Sequence, residues 1–122
     1  MVKAKLYWLA FAALFAVAAC TGSSSSLSER EQLGLSLFVQ HCAACHSTMG
    51  DAIIVGPSLA DIATRAGQRV AGQDTITYIK TSILDPSAYV NEGFNDLMPK
   101  SFGTVLTSEE LDALVAYLLT LQ

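Results

Sequence analysis

The sequence predicts an all-α domain that encloses something besides its own core. Three observations carry this. Three stretches place apolar residues at helical spacing behind recognisable caps. No stretch sustains the apolar–polar alternation of a half-buried strand. Long segments rich in turn formers, 50–57 and 87–107, separate the helices. A domain with so thin a core uses such segments to wrap a bound group.

The chain has 122 residues, enough for one domain of ordinary size. Its net charge of −4 argues against nucleic-acid binding, which needs a basic surface to neutralise phosphates. A hydrophobic content of 52 % excludes wholesale disorder, although much of the apolar excess lies before residue 20.

Residues 1–19 form a leader. Lys3 and Lys5 make a positive head, and residues 6–19 are an unbroken apolar run ending in small side chains. This is the pattern of a secretory signal. As helix the run spans about 21 Å, short of the roughly 30 Å hydrocarbon core of a bilayer. An uncleaved anchor, with Tyr7 and Trp8 at the interface, is the alternative. Val17-Ala18-Ala19-Cys20 resembles the lipobox of bacterial lipoproteins, which implies cleavage before Cys20 and a lipid on its sulfur. An ordinary cleavable signal with an incidental cysteine is the plainer alternative. The expected location is the extracytoplasmic face of a bacterial envelope. Residues 20–28, with four consecutive serines, read as the lipidated cysteine and a short flexible linker. Residues 29–122 are the folded domain.

Removing Lys3 and Lys5 from the seven basic residues leaves five against eleven acidic ones. The mature chain is therefore acidic, as a solvated surface or as a face for a basic partner.

The first helix opens with a capping box, Ser28 with Glu31, and carries Leu33, Leu37 and Phe38 on one face up to Cys42. A short helical turn is expected after Pro57, because proline suits the first helical position. The second main helix starts after Asp74, carries Ile76, Ile79 and Ile83, and stops at Asp85 ahead of Pro86. The third starts at Thr107, with Glu110 completing a second capping box. Its apolar face runs through Leu111, Leu114, Val115, Leu118 and Leu119.

Between the first helix and Pro57 lies Cys42-Ala43-Ala44-Cys45-His46, the C-x-x-C-H signature of covalent haem attachment. Two thiols at this spacing add to the two haem vinyl groups, and the next residue, His46, is held beneath the iron as an axial ligand. A thioredoxin-like pair would need a βαβ context, which is missing. A zinc site from Cys42, Cys45, His46 and a carboxylate is the other alternative. Haem c also explains the export signal and the odd Cys20, which lipidation would use.

With this motif the chain resembles the class I cytochrome c family over residues 28–121. Gly34-x-x-Leu37-Phe38 resembles the family's first helix, where the glycine admits an aromatic of the last helix; Tyr117 matches that aromatic. Gly56-Pro57-Ser58-Leu59 resembles its G-P-x-L segment. The resemblance implies that the Pro57 carbonyl accepts a hydrogen bond from His46 and raises its ligand strength. Leu97-Met98-Pro99 resembles the family's ligand loop, which implies Met98 as the second axial ligand. Met49, three residues after His46, is poorly placed to reach the opposite haem face and reads as packing or surface. His41 reads as a surface residue. Tyr78, Tyr89, Phe94 and Phe102 are expected around the ring, with Arg65 or Arg69 as candidates for its propionates.

The expected function is a membrane-tethered monohaem electron carrier without catalytic residues or a small-molecule substrate. Its expected partners are membrane redox complexes, such as a quinol-oxidising complex and a terminal oxidase, of a respiratory or photosynthetic chain. Residues 82–90 with the Met98 loop resemble cytochrome domains attached to respiratory complexes, which implies a fixed subunit. Two rivals stay open: a haem sensor or peroxidase-like enzyme with a labile sixth position, and a chiefly structural subunit.

Overall fold

The computed structural model describes residues 26–122. The signal segment 1–19, Cys20 and most of the linker lie outside the described residues. Five helices occur among the described residues. They are α1 (Glu29–His41), α2 (Ile62–Arg65, prolonged by a 3-10 turn, Ala66–Gln68), α3 (Thr75–Leu84), α4 (Phe102–Val105) and α5 (Ser108–Leu118). The only extended pairing among these residues is an isolated bridge between His46 and Ile53. The class is all-α, as the sequence predicts.

The helix starts are chemically explicit. Ser28 Oγ accepts from Glu31 N, and the Glu31 carboxylate accepts from Ser28 N at 2.7 Å. Thr107 and Glu110 make the same reciprocal pair at the start of α5, with Thr107 N donating to Glu110 Oε2 at 2.8 Å. Each box satisfies backbone donors that the first helical turn leaves without partners. Asp74 caps α3 by accepting from Thr77 N at 2.7 Å. At its other end α3 gives way at Asp85, whose φ of −137° and ψ of 70° lie outside the helical region, which the residue before Pro86 resists.

The most extensive packing joins α1 to α5. Leu37 and Phe38 bury against a core that includes Ala113, Leu114, Tyr117 and Leu118. The Phe38 and Tyr117 rings lie 5.5 Å apart between centroids, tilted by 51°. Such a pair adds roughly 0.5–1.5 kcal/mol beyond its area burial. Gly34 sits at the crossing. A Cβ there would lie 2.7 Å from the Tyr117 Cβ and would overlap the Ala113 carbonyl. The glycine therefore admits the backbone of α5 as well as its aromatic residue. On the surface, Lys80 Nζ and the Asp112 carboxylate, 2.7 Å apart, link α3 to α5. Ala63 N donates to Leu121 O at 3.1 Å and ties the C-terminus to α2.

The helices depart from expectation at four places. Leu33 is 40 % exposed and Ile76 47 % exposed. Leu33 is rotated about 100° from its neighbour Gly34, which faces α5, and Ile76 lies in the first turn of α3, ahead of the buried Tyr78, Ile79 and Ile83. The short helix starts at Ile62, not at Pro57. A helix opening at Pro57 would spend that residue's carbonyl on a backbone N–H, whereas here it accepts from His46. Finally, α4 has no counterpart in the sequence reading. Gly103, Thr104 and Val105 are weak helix formers, and Ser101 makes no side-chain cap. The buried Phe102 anchors the turn instead.

Candidate functional site

The attachment segment begins where α1 ends. Cys42 N still donates to Phe38 O, and the next turn folds over so that Cys45 N and His46 N both donate to Cys42 O, at 3.0 and 2.9 Å. Cys42, Cys45 and His46 thereby face one cleft. The following loop is fastened to the motif by its backbone. Val55 N and Gly56 N donate to Cys45 O at 3.2 and 2.9 Å, and Leu59 N donates to Ser47 O at 2.7 Å.

This fastening fixes the His46 ring. Its Nδ1 donates to the Pro57 carbonyl at 2.8 Å. Proline has no N–H, so only its carbonyl can serve here. With Nδ1 carrying the proton, Nε2 keeps its lone pair for a metal. Gly56 clears the space beside the ring, since a Cβ there would stand 2.9 Å from Nδ1 and 3.0 Å from Nε2. The need for a glycine was written in the Gly56-Pro57 pair, but its target, the imidazole, was not.

The far wall comes from α3, α4 and the intervening loop. Ile79, Ile83, Phe102 and Met98 line it, with Met98 half-buried and packed against the core. Tyr78, Tyr89 and Phe94 border the same cleft. The Tyr78 and Tyr89 rings meet edge to face at 6.0 Å, and Asn91 Nδ2 donates to Tyr78 Oη at 3.4 Å. Arg65 reaches the cleft while donating from Nε to Ala60 O at 3.0 Å and from Nη2 to Ser58 O; Arg69 borders it too. His41 is not the surface residue expected. It is half-buried beside the cleft, edge-on to Phe102 at 6.2 Å, because the last turn of α1 carries it on the side of Phe38. Met49 is 79 % exposed, in line with a surface reading.

The structure thus brings Cys42, Cys45, His46, Pro57 and Met98 to one cleft. Cys20 lies outside the described residues. Cys42 and Cys45 form no disulfide with each other. Burial, and then the neighbouring Cys45, push the Cys42 thiol up to about 11. Among the described residues no three His, Cys, Asp or Glu side chains gather as a metal-binding group.

These residues fit a covalently held haem. The cleft holds about 1330 Å³ of atom-free space, counting its open mouth. The walls are chiefly apolar, the two thiols stand at one edge, and an imidazole and a thioether offer soft and borderline donors from the same cleft.

The family model described as Cytochrome c matches residues 32–122. The chain belongs to the cytochrome c family: it is a monohaem c-type domain, haem c is its covalent cofactor, and Cys42 and Cys45 supply the C-x-x-C-H thiols. The all-α cytochrome c fold and the family's role as haem-based electron carrier follow with that membership. Among curated proteins no match to the chain is found.

Proposed function

We propose that this chain is a membrane-tethered monohaem c-type cytochrome that passes single electrons between complexes of a respiratory or photosynthetic membrane and transforms no substrate. The observation that carries this reading is the oriented imidazole. His46 Nδ1–H donates to Pro57 O at 2.8 Å, which leaves the Nε2 lone pair available to a metal, and Met98 lines the same cleft. Bound there, haem supplies a one-electron Fe(III)/Fe(II) couple.

The chain's own residues hold and tune that couple. Cys42 and Cys45 fix one edge of the ring. His46 would hold the iron through Nε2, strengthened as a donor by the Pro57 carbonyl. Met98 would hold it through its thioether, and His/Met ligation would raise the reduction potential. Ile79, Ile83, Leu114 and Leu118 line the cleft and exclude water. Two axial donors leave no open position for oxygen or peroxide, and no side chain is assigned as acid, base or nucleophile.

Cys20 carries the lipid that anchors the chain at the extracytoplasmic face of a bacterial membrane, and residues 21–28 act as a short tether. Among the described residues no helix is long and apolar enough to cross a membrane. The partners are membrane redox complexes: a quinol-oxidising complex on one side and a terminal oxidase on the other.

Spectroelectrochemical titration of the full-length holoprotein tests this. A reversible one-electron wave, lowered in potential by Met98→Ala, is expected. A potential that ignores Met98→Ala removes Met98 from the iron and favours a sensor or peroxidase-like reading.

A further inference from the structure

The segment between α3 and α4 carries Met98, yet its backbone is sparsely held. Its backbone hydrogen bonds are all local: Ala88 N donates to Asp85 O, Phe94 N to Asn91 O and Leu97 N to Asn95 O. Among the described residues, none accepts from the amides of Met98, Lys100 or Ser101 through a backbone carbonyl. Segments of this kind open locally at less cost than the whole fold. Apart from the packing of Met98 itself against the core, side-chain bonds must keep it at the cleft. Asn91 supplies one, to Tyr78 Oη at 3.4 Å, but at seven residues' distance from Met98.

Asp96 is better placed. Its Oδ2 accepts from Ser87 Oγ at 2.9 Å and from Lys100 Nζ at 2.9 Å. Ser87 follows the buried Pro86 at the end of α3, so its side of the bond is anchored. The Ser87–Asp96 bond closes the loop across nine residues. The Lys100 bond straddles Met98, which lies two residues from each partner. One carboxylate thus ties the segment to the end of α3 and brackets the thioether residue. The Lys100 and Asp96 side chains are 57 and 40 % exposed, and a pair so exposed adds little to global stability. Its effect falls on the loop instead.

We propose that Asp96 is a positioning residue that keeps Met98 at the iron by latching its loop to Ser87 and Lys100. The inference rests on the proposed ligation by Met98 and names the residue that maintains it. A purely electrostatic role is the rival, because Asp96 also borders the cleft. Pairing with Lys100 offsets that charge and leaves the mechanical role.

The test is imidazole binding to the full-length, oxidised holoprotein, followed by stopped-flow absorbance at saturating imidazole, where departure of Met98 sets the rate. Asp96→Ala should raise that rate about fivefold, the worth of one ordinary hydrogen bond. Ser87→Ala should act in the same direction and add nothing further to Asp96→Ala, because the two share one bond. Asp96→Asn, which keeps an acceptor for Ser87 Oγ, should recover part of the wild-type rate. The urea midpoint should move little in these variants. An unchanged rate in Asp96→Ala overturns the proposal. So does a reduction potential that shifts equally in Asp96→Asn and Asp96→Ala with no change in rate, which would make charge the contribution. A urea midpoint that falls in step with the rate also overturns it, since the effect would then be global. Met98→Ala marks the open limit, with a rate that grows in proportion to imidazole and never saturates. If the wild type behaves in that way, Met98 is not on the iron, and the ligation reading fails together with the proposal.

Discussion

His46 Nδ1 donates to the Pro57 carbonyl at 2.8 Å, across eleven residues of chain. This one bond explains several local features together. It fixes the imidazole's tautomer and orientation, and it delays α2 to Ile62. It also places Gly56 so close to the ring that no side chain fits there. A histidine held in this way by a backbone carbonyl is pre-set for the ligand role proposed for it.

Gly56→Ala tests that packing. The added methyl must displace the His46 ring or the 47–57 loop, since its nearest ring nitrogens stand at 2.9 and 3.0 Å. Overpacking of this kind costs roughly 1–3 kcal/mol. Denaturant unfolding of the holoprotein should show a lower midpoint, and the reduction potential should shift because the ligand moves. An unchanged potential would mean that the ring position is not set by this contact.

Gly34→Ala separates stability from ligation. The new Cβ would meet the Ala113 carbonyl and the Tyr117 Cβ, at the α1–α5 crossing. Destabilisation of about 1–3 kcal/mol is expected, read as a lower denaturation midpoint. The visible spectrum should be unaltered, because Gly34 does not line the cleft.

Acid should weaken the fold through its helix caps. Hydrogen bonds from the Ser28 and Thr107 backbones hold the Glu31 and Glu110 carboxyls below their ordinary values, and those from Thr77 do the same for Asp74. A depressed folded value means that the unfolded chain binds more protons in that window, so stability rises with pH there. The contribution is complete above the ordinary carboxylate values of 4.5 for Glu and 3.8 for Asp and fades as pH falls through the folded ones. Glu31→Gln with Glu110→Gln should flatten the acid limb of a stability–pH curve measured between pH 2 and 6 (about the carboxylate range). An acid limb identical to the wild type would place the pH dependence elsewhere.

Cys20→Ser, with the leader otherwise intact, should release the protein into the soluble extract. Retention in the membrane fraction would favour an uncleaved anchor or tight docking to a complex.

Much of this molecule was legible in the sequence, and the reasons are local. Ser28 with Glu31 and Thr107 with Glu110 mark helix starts through contacts three residues apart, so a linear reading finds them. Asp85 before Pro86 ends α3 for an equally local reason. Cys42, Cys45 and His46 announce their chemistry because covalent attachment demands their spacing. What was not legible depends on contacts distant in sequence. Phe102 nucleates α4 by burial, against the poor propensity of Gly103, Thr104 and Val105. His41 turns inward because Phe102 arrives from sixty-one positions further along the chain to meet it. Leu33 and Ile76 satisfy helical spacing yet stay in water, because the stripe facing the core is set by which helix packs there. The exposure of Ile53 and Ile54 was equally hidden, since it is set by what the rest of the chain leaves uncovered.

The central claim is a haem iron closed on both faces by His46 and Met98. The most direct measurement is the visible spectrum of the reduced, full-length holoprotein at neutral pH with and without carbon monoxide, alongside Met98→Ala. The account predicts a c-type spectrum that carbon monoxide leaves unchanged in the wild type and alters rapidly in the variant. Rapid carbon monoxide binding by the wild type would contradict it, and would move the reading to a sensor or enzyme with a labile sixth position.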